Sequence, residues 1–197
     1  MQVKFIAKLG TWRGVADAAR TTINMDSGDG EPSSSWKRRI LMSEHSPIRK
    51  IIFSWKWIDI PFWSSVHFVR HKIGAEHFVG TQRSDRTGQN RNNKPQSAPV
   101  VHEEFDNIQA IITISRKRLC GQASEETRQA WRMFLDEVIR QEEPELYIAC
   151  VPECVYRNGL CPEYRTCGYN KTLEFEEQLK KYLEGFEKQV NDKTLIK

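Results

Sequence analysis

A run of alternating aromatic residues in the segment IRKIIFSWKWIDI constrains the fold more than any other feature of this chain. Phe53, Trp55 and Trp57 alternate with the polar residues Ser54 and Lys56. A period of two places the three aromatic side chains on one face of an extended strand. We therefore expect a central strand with a buried aromatic face and helices packed against it.

Weaker patterns predict the remaining elements. Short apolar segments favour strands over MQVKFIAKL and EHFVGTQR, and other segments favour helices over GVADAARTTINM, SWKRRILMSEH, PFWSSVHFVRH and SEETRQAWRMFLDEVIRQ, the last with Ser124 as N-cap. The polar segments DSGDGEPSSS and SDRTGQNRNNKPQSAPV, which lie between these elements, predict loops. The C-terminal segment TLEFEEQLKKYLEGFEKQV is amphipathic through Phe175, Leu179, Tyr182, Leu183, Phe186 and Val190. Together these elements predict an α+β fold, a twisted and mainly antiparallel sheet with packed helices.

The segment HEEFDNIQAIITISRKRL predicts one continuous helix, despite its β-branched residues. At 100° per residue its apolar side chains, from Phe105 to Leu119, lie on one arc. Asn107 and Arg118 are 11 positions apart, about three turns, so they point in the same direction. A buried guanidinium needs a partner. The helical pattern alone favours an internal carboxylate over a bound ligand as the partner of Arg118.

The composition describes one domain, or one domain with an appendage. Of the 197 residues, 39% are apolar and six are tryptophan, which is enough to fill a core. We divide the chain into a main domain over residues 1–145 and a cysteine-rich segment with a C-terminal amphipathic helix over residues 146–197. The net charge of +4 comes from mixed acids and bases, which argues against a general nucleic-acid-binding protein.

The cysteines are unevenly placed. No apolar run reaches membrane-spanning length and the first apolar stretch is too short for a signal peptide, so we expect a cytosolic protein with reduced thiols. An odd count of five then argues against a disulfide framework. Cys154, Cys161 and Cys167, with Cys150 or Cys120 as a fourth ligand, form a hypothetical zinc site, although their spacing is not that of a standard knuckle. Free structural thiols or one disulfide formed on oxidation remain the alternatives.

Positive charge is concentrated in the segment FVRHKIGAEHFVGTQRSDR, where two short motifs follow each other. Such a segment is either a solvated loop or a pocket for an anionic ligand, because arginine forks and backbone amides bind phosphate well. Each motif is weak alone, and so is an isolated histidine such as His45. The two motifs are Arg70-His71-Lys72 and Thr81-Gln82-Arg83.

In this order, the motifs resemble those of the flavin-dependent thymidylate synthases, whose signature is Arg-His-Arg, a short gap and then Ser-x-Arg. That family carries a Glu-His pair upstream and a helix with an Asn and then an Arg downstream, followed by Ala-Gln-x-Glu-Ile-Arg. The resemblance runs from about Ala19 to Arg128 and looks closest to the short, phage-type members. The corresponding residues here are Glu44-His45, Asn107, Arg118 and the segment Ala123-Ser124-Glu125-Glu126-Thr127-Arg128.

The resemblance implies roles for these residues. Family members form homotetramers with sites shared between chains, and they methylate dUMP to dTMP with methylenetetrahydrofolate as carbon donor and NADPH as reductant. They use no protein nucleophile, because the flavin carries the chemistry. Arg118 is expected to face the uracil ring and to stabilise the negative charge that develops on it. The implied FAD ligands are His45, Arg70, His71, Lys72 and Asn107, and the implied dUMP ligands are His67, Arg70, Thr81, Gln82, Arg83 and Arg118.

The chain also departs from the family pattern. Lys72 replaces an arginine, Thr81 replaces a serine after a gap one residue longer, and His67 and Gln109 stand where Gln and Arg are common. The helices before the Asn position are reduced to a loop of 23 residues, Ser84 to Asp106. Two alternatives therefore stay open: a flavin enzyme for another pyrimidine nucleotide, and an inactive module that binds a nucleotide or a nucleic acid. In that loop Arg86 or Arg91 is the candidate phosphate ligand, and the basic surface of the module would comprise Arg86, Arg91, Lys94, Arg116 and Lys117.

Overall fold

The computed structural model of the chain describes residues 1–190, with side chains described through residue 184. Its centre is a four-stranded sheet in the order β1-β2-β4-β3, and every neighbouring pair is antiparallel. The expected α+β architecture with an antiparallel sheet is confirmed. The strands are β1 (Gln2–Leu9), β2 (Ile52–Pro61), β3 (Ala75–Val79) and β4 (Pro99–Asn107).

Helices surround this sheet, and several begin at the capping residues that the sequence offers. Thr11, Ser33, Asn107 and Ser124 each accept a hydrogen bond from a backbone N–H of the first turn, which confirms Ser124 as an N-cap. Short 3-10 turns cover Ser46–Lys50, Arg91–Asn93 and Tyr169–Lys171. The helices are α1 (Trp12–Thr21), α2 (Ser34–Met42), α3 (Phe62–Phe68), α4 (Ser84–Thr87), α5 (Ile108–Arg118), α6 (Glu125–Phe134), which continues through a π-helical stretch (Leu135–Ile139), α7 (Arg140–Glu142), α8 (Pro144–Ala149), α9 (Glu153–Tyr156) and α10 (Leu173–Val190).

The aromatic face of β2 forms the middle of the core, as its alternation predicts. Phe53, Trp55 and Trp57 are fully buried. Trp55 stacks on Phe134 of α6, with ring centroids 3.7 Å apart and planes 15° apart. The indole of Trp131 donates a hydrogen bond of 2.9 Å to Ser115, so that α6 is also joined to α5. This layer of rings fixes α5 and α6 over one face of the sheet.

The segment after residue 145 packs against the same core. The buried face of α10 follows the predicted apolar positions, because Phe175 and Tyr182 are buried and Leu179 and Leu183 are partly buried. The predicted positions Phe186 and Val190 lie beyond the described side chains. Within the described residues, no helix is both long and apolar enough to span a bilayer. Buried residues contributed by this segment include Leu146, Ala149, Cys150, Val151, Cys154 and Val155.

The helix predicted over HEEFDNIQAIITISRKRL is wrong in its first part. The structure forms β4 over Pro99–Asn107 and begins α5 at Ile108. β4 lies inside the sheet, where both edges find hydrogen-bonding partners, on β2 and on β3. Phe105 is therefore a strand residue, and Asn107 caps α5 instead of sharing an arc with Arg118 inside the helix. The predicted strand over EHFVGTQR likewise ends at Val79, which leaves Thr81 to Arg83 in a loop.

Candidate active site

Arg118, the last residue of α5, joins three other segments of the chain. Its Nε donates a hydrogen bond of 2.9 Å to Nε2 of His71, and its terminal nitrogen donates one of 2.5 Å to the backbone carbonyl of His67. Nδ1 of His67 lies 3.2 Å from the hydroxyl of Thr127 on α6. Within the described residues Arg118 forms no ion pair, so the internal carboxylate that the helical pattern alone favours is not found, and the bound ligand that the resemblance favours as its partner stays a prediction. A half-buried guanidinium is thus oriented without a directly paired carboxylate, while the more distant Glu104 acts on it through its charge alone.

The two histidines beside Arg118 are neutral near pH 7. Burial lowers the pKa of His71 to about 4, and the positive charge of Arg118 and the nearby His77 add to the effect. Burial, Arg118 and Arg70 lower the pKa of His67 in the same way. Because Nε2 of His71 accepts from the guanidinium, the ring proton is on Nδ1. The site therefore offers a cation and a neutral N–H donor on adjacent groups.

Two further cations flank His71. Arg70 and Lys72 are exposed, and neither has a hydrogen bond or ion pair with another described residue. Arg70 is close enough to Arg118 for its charge to lower the pKa of that guanidinium, after the larger effect of burial. Unpaired cations in one loop are the groups that the phosphates of a nucleotide require.

Asn107 lies beside the same loop. Its backbone N–H donates a hydrogen bond of 2.9 Å to the carbonyl of Gly74, and its side-chain oxygen accepts one of 2.9 Å from the N–H of Ala110. Gly74 has a φ of 75°, and a Cβ there would collide with the Asn107 side chain, so this turn needs glycine. The strand-to-helix junction thereby places the Asn107 amide next to the Arg-His-Lys motif.

The other predicted ligands lie elsewhere in a single chain. His45 is exposed and follows Glu44, which accepts a hydrogen bond from Gln109 and pairs with Arg116. At 100° per residue, Gln109 and Arg116 are on the side of α5 opposite Arg118. We infer that His45 is on that side too.

The Thr-Gln-Arg motif lies beyond the far end of β3, a five-residue strand that spans about 17 Å. There Arg83 is paired with Asp85 at 2.7 Å, and Arg86 lies 3.7 Å from the same carboxylate. One chain therefore brings His67, Arg70, His71, Lys72 and Arg118 together, with Asn107 beside the same loop but at the opposite end of α5, while His45 and Thr81 to Arg83 lie apart from them.

A cavity of about 940 Å³ lies between α6, α8 and α10. Its lining includes Arg128, Arg132, Asp136 and Lys181, and it contains none of the residues predicted to bind flavin or nucleotide. The Arg118 site lies outside this cavity, at the end of α5, where Arg118, His71 and His67 are partly buried.

A second, small cavity gathers most of the cysteines. Cys120, Cys154, Cys161 and Cys167 all line it. Cys150 instead lies in the core, where burial raises the pKa of its thiol to about 12. Of the two candidates for a fourth zinc ligand, the structure therefore brings Cys120 to the other three cysteines. In the part of the chain that the structure describes, no three of these sulfurs lie within 4.8 Å of one another, and the zinc hypothesis stays a prediction.

A cluster of buried polar residues next to His71 was not predicted. His102, Glu104 and Asp106 alternate along β4 on its buried face, and His77 on β3 lies directly opposite Glu104. Nε2 of His77 lies 2.6 Å from the carbonyl oxygen of His71, which links the cluster to the Arg118 site. The alternation His-x-Glu-x-Asp is the sequence signal that would have revealed it, because a period of two places all three on one face of a strand.

Comparisons with known proteins identify the fold. No protein-family model matches the chain, and no curated protein sequence matches it. The flavin-dependent thymidylate synthase ThyX from Helicobacter pylori, complexed with FAD and dUMP, matches with a TM-score of 0.62 at 10% identity, over 77% of this chain and 100% of that one. The UMP/dUMP methylase PolB from Streptomyces cacaoi, bound with 5-Br dUMP, matches with a TM-score of 0.58 at 14% identity, over 75% and 93%. The chain therefore has the fold that its motifs predict.

Proposed function

We propose that this chain is a flavin-dependent enzyme that methylates dUMP to dTMP, with methylenetetrahydrofolate as carbon donor and NADPH as reductant. The proposal depends above all on Arg118, a half-buried guanidinium that His71 and the His67 carbonyl orient and that forms no ion pair with a described carboxylate. It is supported by the order of the motifs and by the fold shared with proteins that bind FAD and dUMP or methylate dUMP.

Arg118 acts on the uracil ring of the substrate. Negative charge develops on the ring carbonyl when C5 of the pyrimidine attacks a one-carbon donor. A guanidinium that is already fixed in place stabilises this charge without reorganising at the moment of reaction. The neutral ring of His71, whose pKa is lowered to about 4, accepts from the guanidinium through Nε2, which orients Arg118 without adding a second charge.

The loop that carries Arg70 and Lys72 offers two cations to the phosphates of a dinucleotide. The side-chain amide of Asn107, beside Gly74, can form hydrogen bonds with a polar edge of the same cofactor. FAD, when bound and reduced, supplies the hydride that completes the new methyl group. The residues of the chain would bind the cofactor and hold the pyrimidine in position for it.

A homotetramer would complete the site. His45 and the Thr-Gln-Arg motif are too far from Arg118 within one chain, so we assign them to the site of a neighbouring subunit. Exposed apolar side chains support such an assembly: Ile73, beside the Arg-His-Lys motif, is 93% exposed, and Phe78 and Val101 are exposed on neighbouring strands of the sheet. Apolar groups of this size are usually covered by a partner when they lie together.

The inactive nucleic-acid-binding module is less well supported. Arg116, expected on its basic surface, is paired with Glu44, and Lys117 lies within 4 Å of carboxylates of both Glu153 and Glu163. These acids reduce the positive field that would attract a phosphate backbone. A different pyrimidine nucleotide, such as UMP, remains the second candidate substrate, because one protein of the same fold is a UMP/dUMP methylase.

The decisive experiment measures tritium release from C5-labelled dUMP, with labelled UMP in parallel. The purified protein is first incubated with FAD, and its absorbance is recorded before and after NADPH. We expect flavin uptake, bleaching by NADPH, and release from dUMP that needs methylenetetrahydrofolate. Release from UMP alone would change the substrate, and absence of both flavin uptake and release would overturn the proposal. Complementation of a thymidine-requiring strain is the corresponding test in cells.

A further inference from the structure

Three potential metal ligands meet between β3 and β4. Nδ1 of His77 lies 3.2 Å from Nε2 of His102 and 3.2 Å from Oε1 of Glu104, and the latter two atoms lie 3.4 Å apart. In a tetrahedral site with metal–ligand bonds of about 2.0–2.1 Å, two ligand atoms lie about 3.3–3.4 Å apart. The octahedral geometry of magnesium, with bonds of similar length, gives about 2.8–3.0 Å. The triangle of these three atoms therefore has the size of one face of a zinc tetrahedron.

The tautomer of His77 suits metal binding. Its Nε2 faces the carbonyl oxygen of His71 at 2.6 Å, and a carbonyl can only accept, so Nε2 carries the proton. Nδ1 then presents a lone pair to the centre of the triangle. A histidine that ligates a metal commonly donates its other N–H to a backbone carbonyl in this way, which fixes the ring and makes it a better ligand.

The surroundings of the cluster are apolar. His102 and Glu104 are fully buried, and across the strand pair they lie opposite Trp57 and Trp55. The His102 ring is 5.5 Å from the ring of Trp57 and 6.2 Å from that of Phe68. Both oxygens of Glu104 lack a hydrogen-bonding partner with suitable geometry among the described residues, and so does Nδ1 of His102. Polar groups left in this state are costly unless an ion or a proton compensates them.

Asp106 adds a second buried carboxyl two positions along β4, and both of its oxygens also lack a hydrogen-bonding partner with suitable geometry among the described residues. The alternative without a metal is a neutral network in which both carboxyls are protonated, since burial raises the pKa of Glu104 to about 8 and that of Asp106 well above its usual value.

We propose that His77, His102 and Glu104 bind a divalent first-row metal ion, zinc by its ligand set and geometry, with the fourth position taken by water or by Asp106. Two imidazoles and one carboxylate are a common zinc ligand set. The ion would cross-link β3 to β4 and, through His77, hold the backbone of His71 beside Arg118. Its role is structural, and it does not depend on the proposed methylation.

The test is the metal content of the full chain, purified without chelator from zinc-supplemented cells and measured by mass spectrometry of the elements. We expect zinc bound through the cluster, so that Glu104→Gln loses about one ion per chain relative to the wild type. Glu76→Gln, on the exposed face of β3, is the matched control and keeps the metal. Cys154→Ser separates this site from the cysteines, because zinc held by His77, His102 and Glu104 survives that change.

Cobalt substitution gives a second readout that does not depend on the folding of a variant. Wild-type protein loaded with Co²⁺ is expected to show the visible bands of a tetrahedral ion that persist in Cys154→Ser and involve no thiolate charge transfer. Chelator treatment should lower the melting temperature of the wild type and of Glu76→Gln. Wild-type protein without bound metal would overturn the proposal, and so would metal that Cys154→Ser removes completely. Neither measurement uses flavin or dUMP, so failure here is distinct from failure of the proposed function.

Discussion

Arg118 and His71 are 47 positions apart in the sequence, and a hydrogen bond of 2.9 Å joins Nε of the guanidinium to Nε2 of the imidazole. The bond links the end of α5 to the loop that follows α3. It fixes the histidine tautomer and holds the guanidinium in one orientation, while leaving its charge available. Pre-orientation of this kind is what an enzyme needs where charge develops in the transition state.

Replacing Arg118 by alanine should abolish turnover and leave the fold intact. We expect tritium release from C5-labelled dUMP to fall by about 10²–10³-fold or more, because a fixed charge-stabilising group is lost. Flavin binding should remain within a few-fold of the wild type. Lys117→Ala, which removes the neighbouring exposed cation, is the control and should turn over normally. Unchanged turnover in Arg118→Ala would remove Arg118 from the proposed role.

Asn107 allows its capping role to be separated from cofactor binding. Its side-chain oxygen caps α5, so Asn107→Ala should cost about 1 kcal/mol of folding free energy. Asn107→Ser keeps a capping oxygen and should be nearly as stable as the wild type, but it lacks the amide nitrogen. If that nitrogen binds the cofactor, both variants should bind FAD more weakly, as measured by flavin fluorescence titration. Full FAD affinity in the serine variant would limit Asn107 to capping.

The stability of the protein should fall between about pH 6.5 and pH 4, in part because of His71. Its folded pKa is lowered from 6.5 to about 4, so the unfolded chain takes up the proton first as the pH falls. The stabilisation is thus fully present above pH 6.5 and is lost as the pH drops toward 4. His71→Gln removes this titration and should flatten the dependence in urea denaturation series. His45→Gln, which removes an exposed histidine, controls for the change in composition, and an equally steep curve in His71→Gln would contradict the assignment.

The sequence predicts the centre of the fold well, because β2 has an unambiguous pattern. Phe53, Trp55 and Trp57 alternate with less apolar residues, and all three are buried. The pattern of β4 misleads, because its buried face carries His102 and Glu104 while the apolar Val101 is exposed. Hydrophobic periodicity assumes that buried residues are apolar, and β4 breaks this assumption at the polar cluster. Because the residues after Asn107 do have helical spacing, the predicted helix begins too early, within the residues that form β4.

The candidate site is predictable only in part, for a related reason. The local motif around His71 and the position of Arg118 can be recognised from their order in the chain. That Arg118 meets an imidazole and a carbonyl instead of a carboxylate depends on how α3 and α5 pack, which no local pattern contains. The location of Arg83, paired with Asp85 beyond the far end of β3, depends in the same way on where the strand ends.

Phe134 is expected to be one of the most sensitive positions of the core. It is fully buried and stacks on Trp55 at 3.7 Å, so Phe134→Ala removes a ring from the middle of the aromatic layer. We expect a loss of about 3–5 kcal/mol in the free energy of unfolding, measured by chemical denaturation. Tyr164→Ala, at a fully exposed ring, is the matched control and should change stability by less than about 0.5 kcal/mol. A loss below about 1 kcal/mol in Phe134→Ala would mean that the stacked layer is not formed.

The cysteines should differ sharply in their reactivity toward alkylating reagents. Cys150 is buried, and its pKa is raised to about 12, so almost no thiolate is present or accessible near neutral pH. Cys167 is exposed at the rim of the small cavity and should react first. Brief treatment of the folded protein with iodoacetamide, followed by peptide mapping, measures both rates, and unfolded protein provides the control in which the two converge. Added zinc should slow Cys120, Cys154, Cys161 and Cys167 together if they share an ion, and leave Cys150 unchanged. Labelling of Cys150 ahead of Cys167 in folded protein would contradict the burial of Cys150 in the core.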